Sequence, residues 1–318
     1  MDLYLMLNIY GLKMNNNRLN INFLGKELKN PVITSSGCFG FCEEYNDYFD
    51  VNELGAVNLK GITLNKRDGN SGVRIAETPS GMINCIGLEN PGIEYFRDEI
   101  IKNIKYSTPI ILNINGSTLE EYVKVAEIAN EIDRVDFIEL NISCPNVKNG
   151  GMAFGASCES AEKTTKEVKK VLTKKPLIVK LSPNVTDIVS IAKSVEYAGA
   201  DSVSLVNTFL AMKIDIKTKK PLLGNIFGGL SGAAIMPIAL RMVYQVYKAV
   251  NIPIVGMGGI QKYEDALEFI MAGASIVSIG SAIFSNPTLP IEIIKQINNY
   301  LEENNINNIK DLIGVAHL

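Results

Sequence analysis

The sequence predicts an α/β fold, a single (β/α)8 TIM barrel, and three observations support this prediction. Eight short apolar runs alternate with segments whose apolar residues recur at a spacing of three to four. Strands that alternate with helices are typical of a parallel sheet covered by helices. The 318 residues, 47% of them apolar, can bury one large core. No linker, repeat or low-complexity tract divides the chain, so residues 1–318 are predicted to form a single barrel domain.

The elements follow in order from an N-terminal β-hairpin, predicted at Leu19–Phe23 and Lys26–Leu28 about Gly25. The eight barrel strands are predicted at Val32–Ser36, Ala56–Lys60, Ile110–Ile114, Phe137–Asn141, Leu177–Leu181, Ser202–Val206, Ile254–Met257 and Ile276–Ile279. The helices are clearest at Thr118–Ile132, Ala161–Leu172, Val185–Ala198, Ser231–Ala249, Tyr263–Ala272 and Leu289–Glu302. Two connections, Gly61–Gly92 and Thr208–Leu230, are too long for plain loops. They predict insertions at the C-terminal face of the strands, where such segments usually form the walls of a site.

Composition excludes several classes of function. The net charge is -3 and the Lys and Arg residues are spread along the chain, so no nucleic-acid partner is expected. Five cysteines without a secretory signal favour free thiols and a cytoplasmic location, with Cys38 and Cys42 as packing residues and no metal site. The only histidine is His317, so Ser-His-Asp hydrolysis, Cys-His proteolysis and His-ligated zinc lack their central residue.

The N-terminal segment predicts no membrane association. Its first ten residues are apolar but too short to span a bilayer, and they lack the basic start of a signal peptide. A polar stretch follows Met14 and precedes the predicted hairpin. We therefore hypothesise that translation starts at Met14 and that residues 1–13 are an upstream extension, which an intact-mass measurement of the native protein tests.

The segment Asn141–Lys148, with the sequence NISCPNVK, contains the candidate reactive atom, the thiol of Cys144. The apolar run before it predicts a buried strand, and Pro145 cannot continue the ladder of that strand. The thiol is thus predicted where a strand opens into a loop, the edge of a barrel at which catalytic groups collect. The alternative is a small, buried and inert side chain, which is the usual state of a free cysteine.

Three glycine-rich segments favour a phosphate group in the ligand. They are Phe227–Gly232, Gly256–Ile260 and Ile279–Ser281, and each offers backbone amides near a predicted helix start. Barrels hold phosphates in this way between the loops after strands 7 and 8. Any one of the segments alone could be an ordinary tight turn.

Lysines and asparagines at the strand ends indicate the rest of the ligand. Lys60 and Lys180 end predicted strands, where a lysine is costly to bury without an anionic partner, although its ammonium could also reach the rim. Five asparagines lie in or just after apolar runs, and a single one of these would usually be structural: Asn84, Asn113, Asn141, Asn146 and Asn207. Together on one rim they favour a planar ligand rich in amide and carbonyl edges.

At this point the chain resembles the class 1 dihydroorotate dehydrogenases, most closely the catalytic subunit of class 1B. The resemblance covers about residues 30–283 and rests on the segments Asn30–Gly40, Lys60–Thr63, Glu77–Thr78, Gly81–Gly92, Asn141–Asn146, Lys180–Asn184, Gly229–Gly232 and Gly256–Ile260. It implies an FMN-containing enzyme that oxidises (S)-dihydroorotate to orotate in de novo pyrimidine (UMP) biosynthesis. A hydride passes from C6 to FMN while a base removes the C5 proton, and by position Cys144 is that base.

The resemblance also implies roles for the other candidate residues. The substrate would be held by Lys60, Asn84, Ile86, Gly87, Leu88, Asn141, Asn146, Asn207 and Thr208. FMN would be held by Ser36, Gly37, Lys60, Gly61, Asn113, Asn141, Lys180, Val206, Gly228, Gly229, Met257, Gly258, Gly259, Gly280 and Ser281, with Lys180 near flavin N1.

The class 1B resemblance further implies partners, and several alternatives stay open. Ser182–Ile188 and Gly256–Gly259 favour class 1B, whose members pass electrons to NAD+ through a subunit holding FAD and a [2Fe-2S] cluster. A homodimer of this chain with that subunit would form a heterotetramer. The alternatives are a fumarate-dependent class 1A enzyme, a dihydropyrimidine dehydrogenase-type flavin barrel, a tRNA dihydrouridine synthase and a non-catalytic phosphate-binding scaffold. The cysteine argues against the membrane-bound class 2 enzymes, which use serine as the base.

Overall fold

The structure is a computed structural model that describes residues 18–41, 43–143 and 154–317. Cys144 and Asn146, two of the predicted site residues, lie outside the described residues. So do Cys42 and the segment around Met14, and the hypotheses about them stay as stated above.

Sixteen strands occur in the described residues, two of them in the predicted hairpin. In chain order they are β1 (Ile21–Phe23), β2 (Lys26–Leu28), β3 (Val32–Thr34), β4 (Val57–Asn58), β5 (Ile75–Thr78), β6 (Gly81–Asn84), β7 (Ile110–Ile114), β8 (Phe137–Asn141), β9 (Leu177–Lys180), β10 (Ser202–Leu205), β11 (Phe209–Met212), β12 (Ile214–Asp215), β13 (Lys220–Pro221), β14 (Phe227–Ser231), β15 (Ile254–Met257) and β16 (Ile276–Ile279).

Eight of these strands form the predicted parallel barrel. The order of the strands in the sheet is β3-β16-β15-β10-β9-β8-β7-β4, and every neighbouring pair is parallel. A parallel bridge between Ile33 and Ala56 joins β3 to β4 and closes the ring. The predicted (β/α)8 barrel is therefore confirmed, and its eight strands are the eight apolar runs of the sequence.

The helices on the outside of the barrel lie close to their predicted positions. The α-helices are α1 (Ile93–Tyr95), α2 (Ile101–Asn103), α3 (Leu119–Asn130), α4 (Cys158–Val171), α5 (Ile188–Tyr197), α6 (Met236–Tyr247), α7 (Tyr263–Met271) and α8 (Leu289–Glu303), with a π-helical turn at Phe96–Ile100 between the first two. Short 3-10 helices occupy Glu43–Asp47, Val51–Glu53, Ala233–Ile235, Ser281–Phe284 and Ile309–Leu312. Several helix starts are fixed by capping side chains; Thr118, for example, accepts a hydrogen bond from the Glu121 amide at 3.2 Å.

One predicted helix boundary is wrong. The helix expected to begin at Ser231 begins at Met236, because residues 227–231 pair as strand β14 with two other strands. The helical spacing of apolar residues continues backwards across this boundary, and pairing with distant strands overrides it.

The barrel interior is built in layers, because alternate residues of each strand face inward. An apolar layer near the start of the strands contains Ile33, Ala56, Ile111, Phe137, Ile178, Val255 and Ile276, and the hairpin residues Ile21, Phe23 and Leu28 close it from below. A polar layer follows the apolar one: Asn58, Asn113, Glu139 and Lys180 each come two residues after a member of the apolar layer, and Ser204 lies beside Lys180 on the neighbouring strand. All five are buried. A polar floor thus separates the apolar layer from the C-terminal end of the barrel.

Both long connections add structure at the C-terminal end of the strands, as predicted. They supply a four-stranded antiparallel sheet with the order β11-β14-β6-β5, so each insertion contributes two strands. The short hairpin of β12 and β13 extends from it. In the part of the chain that the structure describes, no helix is long and apolar enough to cross a membrane.

Candidate functional site

A cavity of about 670 Å³ opens at the C-terminal end of the barrel, beneath the inserted four-stranded sheet. Every predicted site residue within the described ranges lines it. These are Ser36, Gly37, Lys60, Gly61, Asn84, Ile86, Gly87, Leu88, Asn113, Asn141, Lys180, Val206, Asn207, Thr208, Gly228, Gly229, Met257, Gly258, Gly259, Gly280 and Ser281. Residues that are up to 245 positions apart therefore meet in one concave site, which has the size of a small-molecule pocket.

One end of the cavity is lined by glycines that leave no room for side chains. Gly258 and Gly259 have φ values of 126° and 82°. A Cβ on Gly259 would lie 2.6 Å from the Cβ of Met236, and one on Gly258 would lie 2.8 Å from the Cβ of Ala239. The backbone that follows β15 therefore lies against the first turn of α6, and both glycines line the cavity. Such an arrangement can hold a phosphate.

The segment Phe227–Ser231 supplies two more cavity glycines, and these lie within strand β14 and not at the helix start that the sequence predicted. Gly229 pairs with Leu210 on one side and with Asn84 on the other. A Cβ on Gly228 would lie 2.6 Å from the Asn84 carbonyl oxygen. The glycines here permit close strand packing over the cavity, and the predicted role of this segment as a helix start is corrected to that of a strand.

A tight loop at residues 86–88 forms part of the cavity wall. Gly87 and Leu88 both have positive φ values, 83° and 57°. The Asn70 amide nitrogen donates to the carbonyl oxygen of Cys85 at 2.9 Å, and the backbone N–H of Asn70 donates to that of Ile86 at 2.9 Å. Asn70 therefore fixes this loop at the cavity wall.

The side-chain amides of Asn141 and Asn207 form a connected group elsewhere in the cavity lining. Asn141 Oδ1 accepts hydrogen bonds from the Ser143 hydroxyl at 2.5 Å and from the Asn207 amide at 3.5 Å. The Asn207 amide also donates to the Ser143 hydroxyl. The Tyr122 hydroxyl donates to the Asn141 carbonyl at 2.7 Å and so holds the end of β8. Two side-chain amides are thus pre-positioned to bind the polar edge of a ring.

The cavity floor carries one buried ion pair. Lys180 is only 5% exposed, and its Nζ lies 3.8 Å from Glu139 Oε2. The same carboxylate oxygen accepts a hydrogen bond from the Asn113 amide at 2.6 Å. The prediction that a buried strand-end lysine needs an anionic partner is met by Glu139, a residue that the sequence analysis did not select.

A second cation, Lys60, lies at the cavity wall and is half-buried. Its backbone amide donates to the Gly40 carbonyl at 2.9 Å. Nearby, Arg74 donates to Glu89 at 2.5 Å, and this hydrogen bond lowers the pKa of the Glu89 carboxyl. The charge of Lys60 acts on the same Glu89 carboxyl in the same direction, so this wall of the cavity carries two cations and one anion.

Cys38 also lines the cavity, close to Lys180 and Gly280. Burial raises the pKa of its thiol to about 11, although the charge of Lys180 acts in the opposite direction. The thiol is therefore protonated at neutral pH and serves as a packing group, as predicted for this cysteine. The described cysteines, Cys38, Cys85 and Cys158, are all free.

Several cavity residues were missed by the sequence analysis. They include Ser35, Arg74, Met82, Asn184, Asn225, Phe227 and Phe284, and Glu139 lies directly below the floor. Only Glu139 carried a detectable signal, because it is a charged residue inside the apolar run of residues 135–140. Arg74, Met82, Asn225 and Phe227 lie in the insertions, where no periodicity marks a residue as facing a cavity, whereas Ser35, Asn184 and Phe284 lie at or just after the ends of barrel strands.

Comparisons with known proteins agree with this geometry. The sequence model of the family described as Dihydroorotate dehydrogenase matches residues 18–301. A protein of Brachyspira hyodysenteriae named dihydroorotate dehydrogenase B (NAD(+)), catalytic subunit, is 86% identical over 301 residues, which cover 95% of this chain and 99% of the relative. A protein of Bacteroides thetaiotaomicron with the same name is 54% identical, and the match covers 94% of this chain and 99% of the relative. A protein of Malacoplasma penetrans with the same name is 53% identical, and the match covers 95% of this chain and 99% of the relative.

Proposed function

The chain belongs to the dihydroorotate dehydrogenase family, and on this premise we propose that it is the catalytic subunit of an enzyme that oxidises (S)-dihydroorotate to orotate with NAD+ as the acceptor. The family and the likeness to class 1B that the sequence predicted are both confirmed by the matches. The observation that carries the proposal is the single cavity in which two lysines, an amide wall and a glycine-lined end converge.

The residues of the cavity fit the flavin that this family uses. The amides at Gly258, Gly259, Gly280 and Ser281 would hold the phosphate of FMN, because only a residue without Cβ fits at Gly258 and Gly259. Lys180 and Asn113 on the floor would contact the ring. FMN, when bound, accepts the hydride from C6 of the substrate.

The substrate carboxylate would bind between Lys60 and the backbone amides of the 86–88 loop, with Asn84 beside it. The amide groups of Asn141 and Asn207 would bind the pyrimidine edge, and Thr208 adds a hydroxyl. These contacts would fix the ring so that one face meets the flavin. Asn146 would join them, although it lies outside the described residues.

Cys144 is proposed as the base that removes the C5 proton. It lies outside the described residues, one position after Ser143, which contacts the amide wall. The ordinary pKa of a thiol is about 8.5, so an unperturbed Cys144 would be mostly protonated at neutral pH. We therefore expect the rate of flavin reduction by dihydroorotate to rise into mildly alkaline pH. Equal rates for Cys144→Ala and the wild type in anaerobic stopped-flow measurements would contradict this assignment.

The electron acceptor belongs to the same proposal. The relatives are named as NAD(+)-dependent catalytic subunits, which supports a second subunit carrying FAD and a [2Fe-2S] cluster and a heterotetramer built on a homodimer of this chain. The free thiols of the described cysteines agree with the proposed cytoplasmic location.

One experiment tests the whole proposal. The chain is purified alone and together with the candidate partner, and dihydroorotate oxidation is measured with NAD+ and with fumarate. We expect dihydroorotate to bleach the flavin in both preparations and NAD+ to be reduced only when the partner is present. Fumarate reduction by the chain alone would instead indicate a class 1A enzyme, and uracil reduction without dihydroorotate oxidation would indicate a dihydropyrimidine dehydrogenase. A colourless preparation that does not bind FMN would leave only the phosphate-binding scaffold.

A further inference from the structure

Glu139 is a buried carboxylate in the middle of the barrel, one layer below the cavity. It is 1% exposed and lies on β8 between Phe137, which faces the apolar layer, and Asn141, which lines the cavity. Burying a carboxylate is costly unless its oxygens are hydrogen-bonded and its charge is paired. The barrel interior supplies both.

Each oxygen of the Glu139 carboxylate has a defined set of partners. Oε1 accepts from the Ser204 hydroxyl at 2.8 Å. Oε2 accepts from the amides of Asn58 at 2.9 Å and Asn113 at 2.6 Å, and it lies 3.8 Å from Lys180 Nζ. These partners come from four strands other than β8, so the carboxylate connects five of the eight barrel strands through one group.

Two of these partners, Lys180 and Asn113, also line the cavity. The amide nitrogen of Asn113 is directed to Glu139, and its oxygen accepts from the Asn115 amide at 2.7 Å. Glu139 therefore fixes the orientation of the Asn113 amide and the position of the Lys180 ammonium without lining the cavity itself. Lys180 and Glu139 carry opposite charges, so the pair has no net charge.

We propose that Glu139 is a positioning residue for the redox chemistry: it holds Lys180 and Asn113 at the cavity floor, and its negative charge offsets the positive potential that Lys180 imposes on the bound flavin. This inference rests on the proposed function, because it concerns the same cavity and the same cofactor. Lys180 stabilises negative charge on the ring, and Glu139 limits that stabilisation. The flavin then gives up its electrons more readily after it has accepted them.

Sulfite binding to the flavin measures this potential without turnover. Sulfite adds to N5 of an oxidised flavin and leaves negative charge on the ring, so its dissociation constant follows the electrostatic potential at the floor. Glu139→Gln keeps the size of the side chain and one carbonyl acceptor but removes the charge. We expect sulfite to bind about tenfold more tightly to this variant, since one unit charge in a buried site contributes at least that much at an effective dielectric constant of ~20. FMN affinity, measured by fluorescence titration of the apoprotein, should change by less than about threefold.

Lys180→Gln and the double variant complete the test. Lys180→Gln leaves the Glu139 charge unpaired, so sulfite binding should weaken by about tenfold or more. The double variant Glu139→Gln/Lys180→Gln restores a pair without net charge and should return sulfite affinity to within about threefold of the wild type. It also keeps the proposal testable if Glu139→Gln alone does not fold.

Asp201→Asn is the matched control. Asp201 is also paired with a lysine, Lys169, at 2.5 Å and accepts the Leu177 amide, but it precedes β10 at the opposite end of the barrel. Its sulfite affinity should equal that of the wild type. Unchanged sulfite affinity in Glu139→Gln, or a double variant no closer to the wild type than Lys180→Gln, would overturn the proposal. Failure of the function itself would appear differently, as a wild-type flavin that dihydroorotate does not bleach.

Discussion

Gly259→Ala tests whether the glycine-lined end of the cavity is required by close packing and by backbone conformation. Gly259 has a φ of 82°, and a Cβ there would lie 2.6 Å from the Met236 Cβ and 2.8 Å from the Met236 backbone nitrogen. Real Cβ contacts are about 3.4 Å or longer, so the start of helix α6 must move. The amides that would bind the FMN phosphate move with it, and we expect FMN affinity to fall by about tenfold or more.

Gly25→Ala provides a matched control for the effect of backbone conformation alone. Gly25 lies in the hairpin turn with a φ of 85°, and no atom lies within 4 Å of a Cβ built on it. Its substitution should reduce the free energy of unfolding by about 1 kcal/mol, the cost of a left-handed residue. Gly259→Ala should reduce the free energy of unfolding by the same amount and by about 2 kcal/mol more, because of the steric overlap with Met236.

Thermal unfolding of the apoproteins measures the difference between the two variants. For a chain of this length, about 2 kcal/mol corresponds to a Tm that is lower by roughly 3 °C in Gly259→Ala than in Gly25→Ala. FMN affinity is measured by fluorescence quenching on the same samples, and Gly25→Ala should bind FMN as the wild type does. Equal Tm values together with unchanged FMN affinity in Gly259→Ala would refute the reasoning about this end of the cavity.

Two further predictions concern Cys38 and the loop that contains Gly87. Because burial raises the pKa of Cys38 from 9.0 to about 11, its thiol should resist alkylation by iodoacetamide at pH 8 while the exposed Cys158 reacts, as mass spectrometry of the modified peptides would show. The raised pKa also means that the protonated Cys38 thiol contributes its full share of stability below pH 9 and that this contribution is lost as the pH rises towards 11. In urea titrations, Cys38→Ala should therefore lose less stability than the wild type between pH 9 and pH 11. Asn70→Ala removes the hydrogen bond to the Cys85 carbonyl and should raise the KM for dihydroorotate about tenfold with little change in FMN affinity. Asn22→Ala removes a side-chain amide from the hairpin turn and should leave the KM for dihydroorotate unchanged. If Asn22→Ala raised the KM as much as Asn70→Ala does, a local role for Asn70 would be wrong.

The barrel itself was predictable because its signals are local. Each buried parallel strand is a continuous apolar run, and each helix has an apolar stripe at a spacing of three to four, so the eight strands could be placed from the sequence. The inserted strands were not predictable. The strands β5, β6, β11 and β14 are partly exposed, and β5 pairs with β6 and β11 with β14 inside their own insertions. The pair that joins the two insertions, β6 with β14, connects residues more than 140 positions apart, and nothing in their own residues marks that pairing.

The candidate site was predicted as a set of residue types, and the structure decided how they connect. The sequence alone determined that two lysines, several amides and three glycine segments follow the strands, because parallel strands bring their C-terminal ends to one edge. Only the tertiary structure decided that Glu139 neutralises Lys180, that Asn70 holds the 86–88 loop, and that Phe227–Ser231 packs as a strand. These facts depend on distances between side chains of separate strands and insertions. Such distances are set by the closure of the barrel and the packing of the inserted sheet, and no local pattern in the sequence contains them.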